Sequence, residues 1–277
     1  MTSPQAAVGR LVVCPTPIGN LEDVTLRVLA ALAEADVVAC EDTRHTKLLL
    51  DRHGLAAPLV SLHEHNERAR TSGLVARVAA GELVALVSDA GTPLISDPGF
   101  VLVGACLAAA LAVEVLPGPS AVVTALVSSG LPAERWRFVG FLPRGRAELK
   151  DLLAHSPETL VAFESPRRLA ATLRLIADRE PQRAAAVCRE LTKLHEEVRR
   201  GSASELADHY GAHPARGEIV LLLGGSSADG PRREDALGAL RELIAAGARV
   251  RPAAAAVAKL TGLRANELYR ELMSDGQ

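Results

Sequence analysis

Ser88-Asp89-Ala90-Gly91-Thr92-Pro93-Leu94-Ile95-Ser96-Asp97-Pro98-Gly99 packs two prolines and two glycines into twelve residues. It follows a short apolar run, Leu83–Val87, and leads into a longer one, Pro98–Leu111. The first run has the length of a buried strand and the second that of a helix. A loop rich in glycine and proline between two such elements lies where open α/β sheets bind ligands, outside the carboxyl ends of their strands. Glycine there lets backbone N–H groups approach a ligand, and the helix N-terminus behind it favours anionic groups.

Two more loops of this kind occur. Cys14-Pro15-Thr16-Pro17-Ile18-Gly19-Asn20 follows the strand-like Leu11–Cys14, and Pro117-Gly118-Pro119-Ser120-Ala121 follows Val113–Leu116. Three such loops converging would make a cofactor cleft largely from main chain; the plainer alternative is three ordinary βα turns. Short β-branched runs alternate with helix-period segments throughout, which predicts an α/β protein with helical crossovers. Strands are expected at Asp36–Ala39 and Leu59–Leu62, with helices over Asp23–Glu34, Thr43–His53 and Asn66–Ala80. Gly54 and Gly81 stand just past two of those helices, as C-cap chemistry requires.

The second half repeats the style without repeating the sequence. A helix starts near Ser120, and strands follow at Arg137–Leu142, Thr159–Phe163, Ala184–Cys188 and Glu218–Leu223, with a helix over Pro166–Arg179. Pro143-Arg144-Gly145-Arg146 reads as a polar connection, and Gly224–Pro231 as a flexible linker. Beyond it lie helices over Arg233–Ala246, Ala253–Leu260 and Ala265–Leu272, the last two joined by Thr261-Gly262-Leu263; they suit a small appendage or dimer arm better than a helix-turn-helix. The expected division is residues 1–120, 121–226 and 232–277.

Composition narrows the function. The chain has 277 residues, 48% of them hydrophobic, and carries 31 Lys+Arg against 33 Asp+Glu. A protein that grips nucleic acid mainly by neutralising phosphates is usually clearly basic, so any RNA contact is expected to be local. Four Phe, two Tyr and one Trp are too few for a sheet that stacks bases on exposed rings. Cys14, Cys40, Cys106 and Cys188 form no C-x-x-C pair and read as buried thiols. Met1–Arg10 is polar and has no signal-peptide core, and no run is long enough to span a bilayer, so a soluble cytoplasmic protein is expected.

Several chemistries are excluded. There is no G-x-x-x-x-G-K-[ST], no G-x-G-x-x-G and no G-x-S-x-G. His195-Glu196-Glu197-Val198-Arg199 lacks the second histidine of H-E-x-x-H, and His63-Glu64-His65 reads as solvated rather than metal-binding, so no metal is expected. Three polar clusters follow strands: Glu41-Asp42-Thr43-Arg44-His45, Glu164-Ser165-Pro166-Arg167-Arg168 and Arg189-Glu190-Leu191-Thr192-Lys193. Each reads either as helix-start chemistry or as the polar rim of an active site.

Taken in order, these segments resemble the tetrapyrrole-methylase family, and most closely its ribosomal-RNA branch. The resemblance rests on Pro15–Asp23, Glu41–Arg44, Ser88–Pro93 with Ser96–Gly99, Pro117–Ala121, Phe163–Arg168 and Arg189–Lys193, with a further likeness in the tail around Asn266-Glu267-Leu268-Tyr269. It implies a two-domain tetrapyrrole-methylase fold with the cofactor cleft between the domains and a small C-terminal helical segment. It also implies a homodimer that binds S-adenosylmethionine and 2′-O-methylates a cytidine ribose in the decoding region of 16S ribosomal RNA, within the small ribosomal subunit. Cofactor contacts carried over by position are Pro17, Asp89, Ala90, Gly91, Thr92, Ile95, Ser120, Ala121 and Leu191. The tetrapyrrole branch carries Gly-Gly-Asp-Pro where this chain has Ala90-Gly91-Thr92-Pro93, a departure that suits a different substrate.

A ribose hydroxyl is a poor nucleophile, so a base is expected beside it. Glu41, Asp42 and Glu164 are the first candidates; Asp97, Glu190 and Lys193 are others. Arg44, Arg144, Arg146, Arg167, Arg168 and Lys193 are the expected substrate-binding cations. Two alternatives stand beside this reading: a tetrapyrrole C-methyltransferase, and a non-enzymatic nucleotide-type binding module.

Overall fold

The computed structural model describes residues 9–154, 156–226, 233–261 and 263–274. Strands β1 (Arg10–Val13), β2 (Val37–Cys40), β3 (Leu59–Ser61), β4 (Leu83–Leu86) and β5 (Ala112–Val115) form a wholly parallel sheet ordered β3-β2-β4-β1-β5. β2 and β4 are buried at every residue, as central strands covered on both faces must be. Helices α1 (Leu26–Glu34) and α2 (Thr43–Arg52) cover one face, and α3 (Glu67–Ala79) and α4 (Phe100–Ala108) the other. Side-chain alternation sorts the contacts: Val12, Val38 and Ala85 pack with α1 and α2, whereas Leu11, Val37 and Val84 pack with α3 and α4.

Strand order explains this arrangement. The chain crosses the sheet one way from β1 to β3 and returns from β3 to β5, so right-handed crossovers put the two helix pairs on opposite faces. β1 and β4 are therefore neighbours whose next helices leave in opposite directions, and a crevice opens at their carboxyl ends.

Helix starts follow local chemistry. The helix expected from Asp23 begins at Leu26, because Leu21–Asp23 forms a separate 3₁₀ turn and the Thr25 hydroxyl accepts from Val28 N–H (3.2 Å). The helix expected from Pro98 begins at Phe100, because Gly99 adopts φ 123°, which no helix permits. That glycine has no side chain to cap α4. Glu67 of α3, itself buried, supplies the acceptor: its Oε1 receives the N–H groups of Gly99 (2.9 Å), Val101 (2.8 Å) and Leu102 (3.3 Å).

A second sheet contains β6 (Trp136–Phe141), β7 (Thr159–Glu164), β8 (Ala184–Arg189), β9 (Glu197–Ser202) and β10 (Ile219–Leu223), ordered β6-β7-β10-β8-β9. β6 and β7 are parallel and the other pairs antiparallel. Helix α5 (Ala121–Ser129) packs on one face through Val122, Ala125 and Leu126. Helices α6 (Arg146–Ala154), α7 (Pro166–Ala177) and α8 (Ala203–Ala212) close the other around Leu160, Ala162, Val187 and Leu221. Three of these elements were not expected. β9 is an edge strand whose charged sequence hides its pairing with β8, α8 opens with a capping box between Ser202 and Glu205, and α6 starts where the polar connection ends.

The C-terminal helices α9 (Arg233–Ala245), α10 (Val250–Thr261) and α11 (Ala265–Ser274) share their own small core of Ala236, Leu237, Leu240, Ala253, Ala254, Val257 and Leu268. α10 starts before the expected Ala253 because Pro252 fits a helix's first turn, where its missing N–H costs nothing. Residues 227–231 of the expected linker, and Gly262, lie outside the described residues.

Candidate active site

The three glycine- and proline-rich loops meet at the carboxyl ends of β1, β4 and β5. Thr16 and Gly91 form an isolated antiparallel bridge, with Thr16 N–H donating to Gly91 C=O (2.8 Å) and Gly91 N–H to Thr16 C=O (3.0 Å). The Thr16 hydroxyl donates to Ser88 C=O (2.9 Å), and the Thr92 hydroxyl to Pro119 C=O (3.1 Å). Across the cleft, Asn20 N–H donates to the Thr192 hydroxyl (3.0 Å), tying the first loop to the β8–β9 turn. Leu94 (φ 73°) and Ser96 (φ 69°) are left-handed without being glycine, a strained conformation that persists only where the surroundings enforce it.

Between these loops and the second sheet lies a cleft of about 430 Å³. Ile18, Ala90, Ile95, Ser96, Asp97 and Ala121 line one wall. Phe141, Phe163, Glu164, Leu191, Gly217 and Val220 are among those lining the other. The volume lies within the range of small-molecule sites, roughly 300–1,000 Å³, and the mostly apolar wall with a few polar groups matches their chemistry.

Of the expected cofactor residues, Ala90, Ile95, Ala121 and Leu191 line this cleft. Pro17, Gly91, Thr92 and Ser120 stand behind the lining: Pro17 is buried, Gly91 and Thr92 stitch the loops, and Ser120 caps α5. Asp89 faces the end of β2, where its Oδ1 accepts from Asp42 N–H (2.9 Å) and its Oδ2 lies 3.2 Å from His45 Nδ1.

The expected catalytic carboxylates separate. Asp42 caps α2 by accepting from Arg44 N–H (2.8 Å), and hydrogen bonds from the Arg44 guanidinium hold its carboxyl far below the usual range. Glu164 lines the cleft but is fully engaged: it accepts from Ser165 N–H (2.7 Å) and the Thr172 hydroxyl (2.7 Å), with Arg168 Nε 3.5 Å away. Glu41 sits at the end of β2, where burial and then the charge of Asp89 push its carboxyl upward. Asp97 shares that environment. Burial, followed by the Glu41 charge, raises it to about 6, against a hydrogen bond from the Ser88 hydroxyl that lowers it.

The cations divide as well. Arg168 donates to Leu142 C=O (3.1 Å) and Pro143 C=O (2.6 Å), so it fastens the end of β6 to α7. Lys193 pairs with Glu190 (3.0 Å) and Glu218 (2.9 Å), and Arg44 is committed to Asp42. Arg146 lies apart from the cleft, in a second depression with Lys150, Arg179 and Arg183. Arg144, beyond Phe141 in the chain, and Arg167, directly after cleft-lining Pro166, are exposed and have no partner among the described residues.

Sequence reasoning missed Phe141, Phe163 and Gly217. The two phenylalanines end β6 and nearly end β7, and their rings tilt together at 5.4 Å, with Phe141 64% exposed at the cleft mouth. Their position at strand ends did not single them out. Gly217 adopts φ 79°, and a Cβ there would overlap the Glu190 carboxylate. Cys188 also lines the cleft, but burial pushes its thiol up to about 11 and leaves it inert. Among the described residues, no cluster of three His, Cys, Asp or Glu has the geometry to hold a metal, and no helix is long and apolar enough to cross a membrane.

Comparison with known proteins gives a consistent picture. Residues 10–207 match the model of the tetrapyrrole (corrin/porphyrin) methylases. Ribosomal RNA small subunit methyltransferase I of Mesorhizobium japonicum is 46% identical over 263 residues, covering 93% of this chain and 89% of its own. The protein of that name from Mycobacterium tuberculosis strain H37Rv is 47% identical over 271 residues, covering 94% and 93%. Among solved structures, uroporphyrin-III C-methyltransferase from Thermus thermophilus, in complex with S-adenosyl homocysteine, superposes with a TM-score of 0.55 at 22% identity, over 78% of this chain and 97% of that one. At that identity the likeness speaks for the fold alone.

Proposed function

The chain belongs to the tetrapyrrole (corrin/porphyrin) methylase family, and from that premise we propose that it transfers a methyl group from S-adenosylmethionine to ribosomal RNA of the small subunit. The acceptor in this reading is the 2′-oxygen of a cytidine ribose, cytidine 1402 in the usual rRNA numbering. What carries the proposal is the identity of 46–47% to small-subunit rRNA methyltransferases over more than nine-tenths of the chain. The cleft supports it with a lining that suits the cofactor: apolar Ile18, Ile95 and Leu191 for its nucleoside, and small Ala90 and Ala121 that let the backbone come close.

Bound there, S-adenosylmethionine supplies a sulfonium methyl already activated for attack. The residues of this chain then have mainly to position the acceptor and exclude water. The Thr16–Gly91 bridge joins the loops of one wall, and the Asn20–Thr192 bond ties that wall to the other. Gly217 keeps the floor open by leaving room for Glu190. Arg144 and Arg167, exposed and without a partner among the described residues, hold backbone phosphates of the RNA. With so few local cations and a net charge of −2, the substrate is an assembled subunit, docked by shape, rather than free RNA. The protein acts in the cytoplasm as a homodimer; the exposed β5 edge, with Val115 60% exposed, offers it a surface for pairing.

The test is transfer of tritiated methyl from S-adenosylmethionine to small subunits lacking the modification, with naked 16S RNA and a porphyrinogen in parallel. Label in the subunits is the expected result. Label in the porphyrinogen alone would replace the substrate with a tetrapyrrole, and cofactor binding without any transfer would make the protein a binding module.

A further inference from the structure

Four carboxylates line the cleft: Asp97, Glu164, Glu190 and Glu218. A base for the acceptor hydroxyl must be ionised, unneutralised and able to accept a proton near neutral pH. Glu164 has both oxygens occupied by donors and Arg168 beside it. Glu190 accepts from Glu218 N–H (3.0 Å) and Lys193 Nζ (3.0 Å), and these bonds hold it below the usual carboxylate range. Glu218 is paired with Lys193. Asp97 alone of the four has no cation against it among the described residues.

We propose that the Asp97 carboxylate is the base that takes the proton from the ribose 2′-hydroxyl during methyl transfer. The inference rests on the function proposed above and adds the residue that makes the oxygen nucleophilic. As the 2′-oxygen bonds to the methyl carbon, the carbon–sulfur bond breaks and its electron pair stays on sulfur as a neutral thioether. The hydroxyl proton passes to Asp97 and from there to water.

The loop around Asp97 is built to hold it. Leu94 packs into the core beneath the first sheet, Ile95 turns to the cleft, and left-handed Ser96 delivers Asp97 to the cleft wall. Glu67 fixes the loop's far end through Gly99 N–H. Around the carboxylate stand Glu41 from the end of β2, Asp89 from its own loop, and, across the cleft, Glu164 and Glu190 with their cations. His63 and His45 act on Glu41 from behind. Burial first, and then the negative charge of Glu41 and Asp89, keep a proton-accepting group poised near neutral pH, whereas Asp42, beside Arg44, is held too acidic to serve.

The experiment is the pH dependence of single-turnover methyl transfer to small subunits, in wild type and Asp97→Asn. Wild type shows a rate that falls tenfold per pH unit below about 6. Asp97→Asn loses about 10²–10⁴-fold, loses that limb, and binds S-adenosylmethionine within twofold of wild type. Two readouts do not depend on activity. The ¹³C carboxyl resonance of Asp97 in the free protein titrates near 6. Asp97→Asn also melts above wild type at pH 8, by a margin that shrinks toward pH 5: a carboxyl raised on folding favours the protonated form, so ionisation weakens the wild-type fold as pH rises through that value. An Asp97→Asn rate within threefold of wild type, or an unchanged acid limb in the variant, overturns the assignment while leaving the function intact. A wild-type enzyme that labels no subunit overturns the function and, with it, this inference.

Discussion

Replacing Glu67 by alanine is the most informative perturbation of the scaffold, because one carboxylate oxygen serves three N–H groups at the start of α4. Gly99 and Leu102 are buried, whereas Val101 is partly reached by water. An orphaned buried donor costs about 1–3 kcal/mol, so losing the acceptor for two of them should destabilise this turn by about 3 kcal/mol. Native-state hydrogen exchange reads that quantity directly at the amides concerned. At 1.36 kcal/mol per decade, the Gly99 and Leu102 amides should exchange roughly 150-fold faster in Glu67→Ala. Glu67→Gln keeps a carbonyl acceptor but loses the charge that about doubles such bonds, and should accelerate exchange only about fivefold. Because Asp97 sits two residues before Gly99, methyl transfer should fall with the exchange protection. Exchange within threefold of wild type in Glu67→Ala would mean that the cap contributes nothing to the loop.

Other outcomes follow from the same geometry. Gly217→Ala places a Cβ against the Glu190 carboxylate at a left-handed position, and should weaken S-adenosylmethionine binding by tenfold or more in a protein that still folds, as calorimetric titration would show. Arg144→Ala and Arg167→Ala should each reduce affinity for the subunit and lower the slope of log K against log salt by about 1, without changing cofactor affinity. Glu190 and Glu197 both carry carboxyls depressed on folding, the first by the Glu218 N–H and Lys193, the second by Arg189 and Arg199 against burial. The stability they contribute is present above the unfolded-state value of about 4.3 and is lost as pH falls through their lower folded values, so urea midpoints should drop steeply below about pH 4.

The first sheet was largely legible because its strands are buried runs separated by loops with unmistakable punctuation. Leu83–Val87 and the loop after it could hardly be read otherwise; in the structure the strand ends at Leu86, and α4 begins at Phe100 and ends at Ala108. β9 was not legible. Glu197-Val198-Arg199-Arg200-Gly201-Ser202 belongs to a sheet edge, where charge protects against further pairing and so erases the alternation that marks a strand. The site was half legible for a related reason. Sequence shows which charged residues cluster at strand ends but not which are already spoken for. Arg168 and Asp42 turn out to serve their own backbone and neighbours, whereas Asp97, one carboxylate among several in the chain, stands apart only once the folded loop sets it in the cleft without a cation. Phe141 and Phe163 were hidden because an aromatic at a strand end has the same sequence signature whether it faces the core or a ligand.

Methylation of a ribose oxygen in small-subunit RNA is read from the position of the label. Small subunits lacking the modification would be incubated with the protein and tritiated S-adenosylmethionine, and their RNA hydrolysed in alkali. Label is expected in an alkali-resistant dinucleotide that yields 2′-O-methylcytidine on enzymatic digestion. Label released as a mononucleotide methylated on its base, or no label in the RNA at all, would contradict ribose methylation.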